Sequence, residues 1–354
     1  MTDLLALTAQ LVDLPSVSRD EGRITDWLAA ELEGAPWLQV TRVGDNLVAR
    51  TDLGRRYRVI LAGHTDTVPA NGNERAEIRG DILHGLGSSD MKSGLAVMLE
   101  AARSFAEPAV DVTYVFYARE EIAAAESGLG ELFAQRPDLL VGDVALLGEP
   151  TDGVIEAGCQ GTMRLRLTLA GERAHTARPW MGRNAIHRLG TLLDRLAGYD
   201  ERRPVLVGCE YREALQAVTV QGGVAANVVP DHVELVLNHR FAPDRSPAEA
   251  EAHVREVVGA VLAEGDTLEV VDVADGAAPA LDHPVLAALV GRNALEVRAK
   301  LGWTDVARFA AHGVPAANFG PGDANIAHMA HEQVTREQLD RVWAATADLL
   351  QHGA

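Results

Sequence analysis

Residues 61–69 read Leu-Ala-Gly-His-Thr-Asp-Thr-Val-Pro, and they follow directly on an apolar run, 57–61, that predicts a short β-strand. His64 and Asp66 are two positions apart, so their side chains point to the same side of an extended chain. A histidine beside a carboxylate suits a metal ligand held in place by its neighbour. Alone, the pair decides little, because a single histidine is more often a surface or hydrogen-bonded residue.

Further polar side chains lie just beyond other apolar runs. The runs at 111–117 and 143–147 predict strands, and a helix is predicted at about 93–105. Strands that alternate with helices predict an α/β fold with a mostly parallel sheet, in which ligands bind at the carboxyl ends of the strands. We therefore expect one site formed by the side chains at these ends: His64, Asp66, Asp90, Glu120, Glu121, Glu149 and, after the last predicted strand, His328.

Imidazoles and carboxylates without a thiolate suit Zn²⁺, and also Co²⁺ or Mn²⁺. If one carboxylate bridges, this set can hold two ions, which together activate a water and polarise a substrate oxygen. Each residue also has a simpler interpretation. Asp90 could cap the following helix, Glu120 and Glu121 could lie on a solvated face, and Glu149 could be a polar loop residue. Their recurrence at successive strand ends favours the metal site.

Composition excludes several classes of function. The 354 residues suffice for two domains, and 51 acidic against 32 basic residues give a net charge of −19. This excess disfavours nucleic acid or an anionic membrane as a partner. Two cysteines, Cys159 and Cys209, provide neither a disulfide framework nor a cysteine zinc site. The sequence shows neither a signal-peptide pattern nor an apolar run of about 20 residues, so we expect a cytoplasmic protein.

The pattern changes after Cys159. The order βαββαβ over residues 162–275 predicts a ferredoxin-like α+β domain inserted into the first domain, which comprises 1–161 and 276–354. Two helix starts carry the Ser-x-x-Glu pattern of a capping box, Ser18 with Glu21 and Ser246 with Glu249.

Several motifs together resemble those of the co-catalytic zinc aminoacylase and carboxypeptidase family, and the resemblance spans nearly the whole chain. They are His64-x-Asp66, Gly-x-x-Asp90-x-Lys-x-Gly, Glu120-Glu121, Gly148-Glu149-Pro and His328-x-x-x-Glu332. A finer resemblance to one branch of that family rests on the stretches 149–151, 155–161, 302–309 and 318–322. The resemblance implies a zinc-peptidase-like catalytic domain with an inserted domain that serves as lid and dimerisation domain.

The resemblance also implies a role for each residue at the metals. His64, Asp90 and Glu149 would bind one zinc, and Asp90, Glu121 and His328 the other, with Asp90 bridging. Co²⁺ could substitute for Zn²⁺. Asp66 would orient His64, and Glu120 would be the general base. His331 departs from the family pattern, because relatives usually carry an acidic or amide residue there. Two histidines three positions apart leave the choice of ligand open. The spacing to Glu332 favours His328, and His331 could support the ligands.

Residues elsewhere are expected to bind substrate. His175, within Gly171-Glu-Arg-Ala-His-Thr-Ala-Arg-Pro179, resembles the family's lid histidine, which reaches across a homodimer to stabilise an oxyanion. Asn227 and Arg240 would bind substrate by the same resemblance. Because cations are scarce in this chain, Arg240 and Arg308 are candidates to anchor a substrate carboxylate, with a structural salt bridge as the alternative.

We therefore expect a homodimeric dinuclear zinc amidohydrolase that acts on a small acylated amino acid. Three alternatives remain open: a different acyl group, a dipeptide substrate, or a non-catalytic binding protein with the same fold. The presence of Glu120 with the full ligand set argues against the last.

Overall fold

The computed structural model describes residues 2–354, which form two compact units. The first unit comprises the chain up to Gly158, Pro279–Arg298 and Asp305–Ala354. The inserted unit comprises Cys159–Ala278 and Ala299–Thr304. The sequence did not indicate that the six residues 299–304 belong with the insertion. That the inserted unit is a lid or dimerisation domain stays a prediction.

The strands are, in chain order, β1 (Gln39–Val43), β2 (Asn46–Arg50), β3 (Arg58–His64), β4 (Glu77–Arg79), β5 (Ile82–His84), β6 (Asp111–Tyr117), β7 (Val144–Leu147), β8 (Ile155–Ala157), β9 (Gly161–Ala170), β10 (Val205–Leu206), β11 (Cys209–Glu210), β12 (Ala214–Gly222), β13 (His232–Phe241), β14 (Thr267–Ala274), β15 (Val297–Ala299), β16 (Ala316–Asn318) and β17 (Gln333–Thr335).

The α-helices are α1 (Leu4–Val12), α2 (Gly22–Leu32), α3 (Lys92–Ser104), α4 (Gly128–Gln135), α5 (Ala185–Ala197), α6 (Pro247–Gly259), α7 (Pro284–Asn293), α8 (Val306–Ala311) and α9 (Arg336–His352). Among residues 2–354, no helix combines the length and the apolar character needed to cross a bilayer.

The main sheet of the first unit has the strand order β1-β2-β6-β3-β7-β16-β8-β15. Its centre is parallel, because β6, β3, β7 and β16 pair in parallel, whereas the pairs β1/β2, β2/β6 and β16/β8 are antiparallel. The predicted α/β fold with a mostly parallel sheet is confirmed in this central part. Every residue of β6 is buried, as expected for a parallel strand covered on both faces.

Helix α3 lies very close to the segment that follows β7. A Cβ atom at Gly94, in the first turn of α3, would lie 2.2 Å from the carbonyl oxygen of Gly148. Only glycine at position 94 permits this approach. The contact matters for the site, because Asp90 lies two residues before the start of α3 and Glu149 immediately follows Gly148.

The inserted unit contains an antiparallel sheet of order β12-β13-β9-β14 with α5 and α6 packed on one face. Strand β9 alternates buried and more exposed residues, and its buried side chains Met163, Leu165, Leu167 and Leu169 join the core under the helices. The predicted ferredoxin-like order βαββαβ is confirmed, with the small hairpin β10/β11 added before β12.

One of the two predicted capping boxes is present. Ser246 and Glu249 form it at the start of α6. The prediction for Ser18 and Glu21 is wrong, because α2 begins at Gly22 and no side chain caps it. Both residues make long-range hydrogen bonds instead, Ser18 to Asp66 and Glu21 to the backbone amide of Arg119.

Candidate metal centre

The parallel strands bring the predicted ligands to one edge of the main sheet. Strand β3 ends at His64, Glu120 and Glu121 follow β6, and Glu149 follows β7. These three strands are neighbours in the order β6-β3-β7, so their carboxyl ends are adjacent. Asp90 comes from the loop before α3, and the Asp90–Met91 peptide bond is cis.

Two histidines meet on opposite oxygens of Asp90. One ligand atom each of His64, Asp90 and Glu121 lie within 4.8 Å of one another. His64 Nε2 is 3.2 Å from Asp90 Oδ1, while His328 Nε2 is 3.6 Å from Asp90 Oδ2 and 2.8 Å from Glu121 Oε1. A carboxylate that presents one oxygen to each histidine is placed as a bridging ligand would be.

The tautomer of His64 tests whether a cation fits here. His64 Nδ1 lies 3.0 Å from the backbone carbonyl oxygen of Asp66, which can only accept, so Nδ1 carries the proton. Nε2 therefore faces the Asp90 carboxylate with a lone pair unless it holds a second proton. A metal ion shared by the two groups would remove that conflict. The donor set thus fits a hard or borderline cation.

The charges of the cluster lead to the same conclusion. Burial alone lowers the pKa of His64, but the contacts with Asp66 and Asp90 and the charge of Glu149 raise it well above its ordinary value. Burial raises the pKa of Glu120 well above its usual range, and Glu149 adds to this rise while His64 opposes it. Burial also raises the pKa of Glu121. Carboxylates held this close together need cations or protons to balance them.

The carboxylate of Asp66 does more than the sequence indicated. Asp66 Oδ1 is 3.6 Å from His64 Nδ1, whereas the backbone carbonyl oxygen of Asp66 is 3.0 Å from the same atom. The same carboxylate accepts the backbone amides of Glu120 and Glu121 at 2.9 and 3.1 Å and the Ser18 hydroxyl at 2.7 Å. Burial would raise the pKa of Asp66, but His64 and these donors lower it to about 2. Asp66 therefore links the candidate ligand His64 to the candidate base Glu120.

Glu332 is a site residue that the sequence analysis used only as a spacing marker. It is buried, and its Oε1 accepts the backbone amides of Ser89 and Asp90, both at 2.9 Å. It therefore fixes the loop that presents Asp90. The available signal was its position in His328-x-x-x-Glu332. His328, in a left-handed conformation with φ of 65°, contacts Glu121 and Asp90. The His331 ring is exposed and makes no hydrogen bond or ion pair with another residue of 2–354.

The predicted substrate residues His175 and Asn227 are brought together within the inserted unit. The Thr176 amide donates to the carbonyl oxygen of Asn227 at 3.0 Å, which joins their two loops. His175 is exposed, and its Nδ1 accepts the Ala177 amide at 3.0 Å. In the neutral ring the proton is therefore on Nε2, which can donate.

The two predicted arginine anchors differ. Arg240, in the inserted unit, is half-buried and has no carboxylate partner within 4.0 Å among the described residues. Burial, together with the charge of Arg164, lowers its pKa. Arg308, in the first unit, donates from Nε to Asp305 at 2.8 Å, so the alternative of a structural salt bridge is present there. Both anchoring roles stay predictions.

Comparison with known proteins identifies the family. A family profile described as "Peptidase family M20/M25/M40" matches residues 60–352. This chain belongs to that family. A protein of Mycobacterium tuberculosis assigned as a succinyl-diaminopimelate desuccinylase is 53% identical over 333 residues, 94% of this chain and 93% of the relative. The succinyl-diaminopimelate desuccinylase of Corynebacterium glutamicum is 44% identical over 350 residues, 97% of this chain and 94% of the relative.

Solved structures of other proteins show the same fold. A tripeptidase from Staphylococcus aureus superposes with a TM-score of 0.79 at 20% identity, covering 99% of this chain and 97% of that one. A Bacillus subtilis protein described as a dinuclear metal-binding peptidase of the M20 family superposes with a TM-score of 0.68 at 17% identity, covering 98% and 96%. The family resemblance drawn from the motifs is confirmed, and its finer part points to the actinobacterial type of desuccinylase.

Proposed function

We propose that this M20 protein is a succinyl-diaminopimelate desuccinylase. It hydrolyses N-succinyl-L,L-2,6-diaminopimelate to succinate and L,L-2,6-diaminopimelate, a step of lysine biosynthesis. Relatives with this name align with more than nine-tenths of the chain. The observation that carries the proposal is the Asp90 carboxylate, which lies between His64 and His328. The backbone amide of Glu120 binds Asp66, the residue that also contacts His64.

The proposed cofactor is a pair of zinc ions in each subunit, for which Co²⁺ could substitute. His64, Asp90 and Glu149 would hold one ion, and Asp90, Glu121 and His328 the other. Bound there, the ions would lower the pKa of a water molecule and polarise the acyl carbonyl group. The support is the chemistry of the donors, which are imidazoles and carboxylates without a thiolate.

Glu120 is the proposed general base. Its carboxylate takes a proton from the attacking water, whose oxygen bonds to the succinyl carbonyl carbon. When the carbon–nitrogen bond breaks, Glu120 returns that proton to the nitrogen of the leaving amine. Burial raises the pKa of Glu120 well above its ordinary value, which makes its carboxylate a stronger proton acceptor.

The inserted unit would supply the remaining groups. His175 would donate from Nε2 to the developing oxyanion. The Ala177 amide favours the tautomer with the proton on Nε2, because it donates to Nδ1. Asn227 and Arg240, with Arg308 from the first unit, would bind the polar ends of the substrate. Arg240 supports this role best, because a half-buried guanidinium without an ion-pair partner among residues 2–354 suits a substrate carboxylate.

A homodimer is proposed from the edge of the inserted sheet. Strand β12 is at that edge and exposes Val218 and Val220, with Val224 following it, at 53%, 58% and 52% of their surface. An open, apolar strand edge is a natural surface for pairing with a second copy. Sedimentation should show a dimer at the concentrations used for assays, and a fully active monomer would refute it.

The proposed location is the cytoplasm. Cys159 and Cys209 are both buried, and neither forms a disulfide with another described residue, which is in keeping with a reducing compartment.

Steady-state kinetics of the zinc-loaded protein test the proposed substrate. The assay compares N-succinyl-L,L-2,6-diaminopimelate, N-acetylornithine and a dipeptide, and we expect the highest kcat/KM for the succinyl compound. A higher value for N-acetylornithine or the dipeptide would assign the protein to another branch of the family. If the protein hydrolyses none of the three compounds, the result would favour a non-catalytic binding protein.

A further inference from the structure

The loop that carries Glu120 is held by its backbone amides. Four consecutive amides, those of residues 118–121, each donate to a buried or half-buried side chain. Ala118 donates to Asn46 Oδ1 at 3.0 Å and Arg119 to Glu21 Oε1 at 3.1 Å. The next two amides donate to the Asp66 carboxylate. This loop follows β6, so these amides have no strand partner to satisfy them.

Arg119 is the residue of this loop that most needs support. Its φ of 61° lies in the left-handed region, which costs a residue with a side chain about 1 kcal/mol. Its neighbour Glu120 is the proposed base, so the backbone turn at Arg119 sets the direction in which Glu120 points. A hydrogen bond to the Arg119 amide therefore acts on the catalytic geometry.

Glu21 makes that bond from a different part of the chain. It is fully buried, and its Oε1 accepts the amides of both Arg19 and Arg119, at 3.0 and 3.1 Å. Arg19 is also left-handed, with φ of 78°. A single carboxylate oxygen thus binds the backbone amides of two residues that are both in the left-handed conformation. Glu21 Oε2 has no hydrogen-bond partner among residues 2–354, which is a costly arrangement for a residue that serves stability alone.

Ser18 connects the same segment to the loop from the other side. Its hydroxyl donates to Asp66 Oδ2 at 2.7 Å, the oxygen that also accepts the Glu121 amide. The Ser18 amide in turn donates to the carbonyl oxygen of Thr67 at 3.1 Å. The segment 18–21 is therefore bonded to Asp66 and Thr67. It reaches residues 118–121 directly through Glu21 and indirectly through Asp66.

We propose that Glu21 and Ser18 are positioning residues for the hydrolytic reaction, and that they act by fixing the base loop 118–121 so that Glu120 faces the metal cluster. The inference rests on the proposed role of Glu120. It assigns the two residues no contact with substrate or metal. A displacement of about 1 Å at the reacting groups costs on the order of 10²-fold in rate, so the effect on turnover is large even without such contact.

Paired substitutions separate this role from plain stability. Glu21→Met removes the acceptor, and we expect kcat to fall about 10²-fold with KM and zinc content nearly unchanged. Glu21→Gln keeps an oxygen that can accept both amides, and kcat should stay within about threefold of the original. Ser18→Ala is a small change that should fold, and kcat should fall by about threefold to tenfold.

Asp111 provides the matched control at the opposite end of β6. Asp111 is buried, and its carboxylate accepts the backbone amides of Leu53 and Arg55, both at 2.8 Å. It is the first residue of β6, whereas the base loop follows the last. Asp111→Ala should lower the melting temperature but leave kcat per zinc-loaded molecule unchanged. Equal losses of kcat in Asp111→Ala and Glu21→Met would overturn the proposal.

Hydrogen exchange gives a readout that needs no substrate. The amides of residues 118–121 should exchange at least tenfold faster in Glu21→Met than in the original protein, and no faster in Asp111→Ala. Unchanged exchange in Glu21→Met would overturn the proposal even if activity falls. If the original protein hydrolyses none of the acyl substrates but the exchange result holds, the proposed reaction fails while the fixing of the loop stands.

Discussion

Glu120 and Glu121 are adjacent in the chain, and the proposed mechanism gives them different roles. Both amides bind the Asp66 carboxylate, and only Glu121 lies within 2.8 Å of His328. Neighbouring side chains leave the backbone in different directions, so Glu121 could bind a metal ion while Glu120 acts on the water, as the proposed mechanism requires.

Glu120→Gln tests this division. The amide cannot accept the proton of the attacking water, so we expect kcat to fall about 10³-fold with zinc content unchanged, as measured by kinetics and metal analysis. Glu126→Gln is the matched control, because Glu126 is an exposed glutamate on the same segment that pairs with Arg19. It should change neither quantity. Surviving hydrolysis in Glu120→Gln would remove Glu120 from the role of base.

Asp266 gives a pH-dependent prediction in the inserted unit. Burial would raise its pKa, but hydrogen bonds from Arg188 and from the amides of Ala170 and Ala263 lower it to about 2. The folded pKa is below the unfolded one, so this stabilisation is complete above about pH 4 and is lost as the pH falls toward 2.

Asp266→Ala should therefore reduce the opening free energy of β9 and β14 by about 3 kcal/mol at pH 7, as measured by native-state hydrogen exchange. The difference from the original protein should shrink as the pH approaches 2. Glu251→Ala, which breaks the exposed pair with Arg255, should cost less than about 0.5 kcal/mol. A pH-independent difference would contradict the assignment to this carboxylate.

The sequence predicted the residues whose side-chain type suits a metal ligand. It missed the residues whose side chains accept backbone amides near the site. His64, Asp90, Glu121 and His328 were predicted as metal ligands, and the structure brings their side chains together. Glu21, Asn46 and Glu332 accept amides that are 72 to 243 positions away in the chain. Neither residue type nor local spacing reveals such a partner. For Glu21 the local pattern even favoured a helix cap.

Among the helices, length separated those that the sequence predicted from those that it did not. The buried strands β3 and β6 and the periodic helices α5 and α6 were recognisable as long apolar or amphipathic runs. Helices α4 and α8, with eight and six residues, are too short to show a period and were not predicted.

The packing of α3 on the segment after β7 gives an element-level prediction. In Gly94→Ala the new methyl group would meet the carbonyl oxygen of Gly148, which is backbone and cannot move cheaply. We expect a loss of about 1–3 kcal/mol in unfolding free energy, together with weaker zinc binding, because Asp90 and Glu149 flank the contact. Urea unfolding and zinc titration measure the two effects.

Gly291→Ala is the control for that substitution. Gly291 lies in helix α7, and a Cβ atom there would have no neighbour within 4 Å. This variant should gain up to about 1 kcal/mol and bind zinc normally. If Gly94→Ala behaved in the same way, the close approach of α3 would not be a constraint on the site.

For the molecule as a whole, the cluster of carboxylates predicts that metal and stability are coupled. Removal of metal with a chelator should lower the melting temperature. Free zinc at 100 times its dissociation constant should restore about 2.7 kcal/mol for each site that binds only the folded state. Differential scanning calorimetry measures this, and Asp90→Ala, which lacks the proposed bridging ligand, should show little response. An unchanged melting temperature in the original protein would argue against a metal site at this cluster.

The two-segment make-up of the inserted unit limits how the protein can be dissected. The Gln160 amide donates to the carbonyl oxygen of Lys300 at 3.2 Å, and Trp303 Nε1 donates to that of Asp275 at 3.1 Å. A gene fragment encoding only 159–278 would therefore omit residues that complete its own unit. Domain exchange between relatives should transfer 159–304 as one block, even though 279–298 in its middle packs with the first unit.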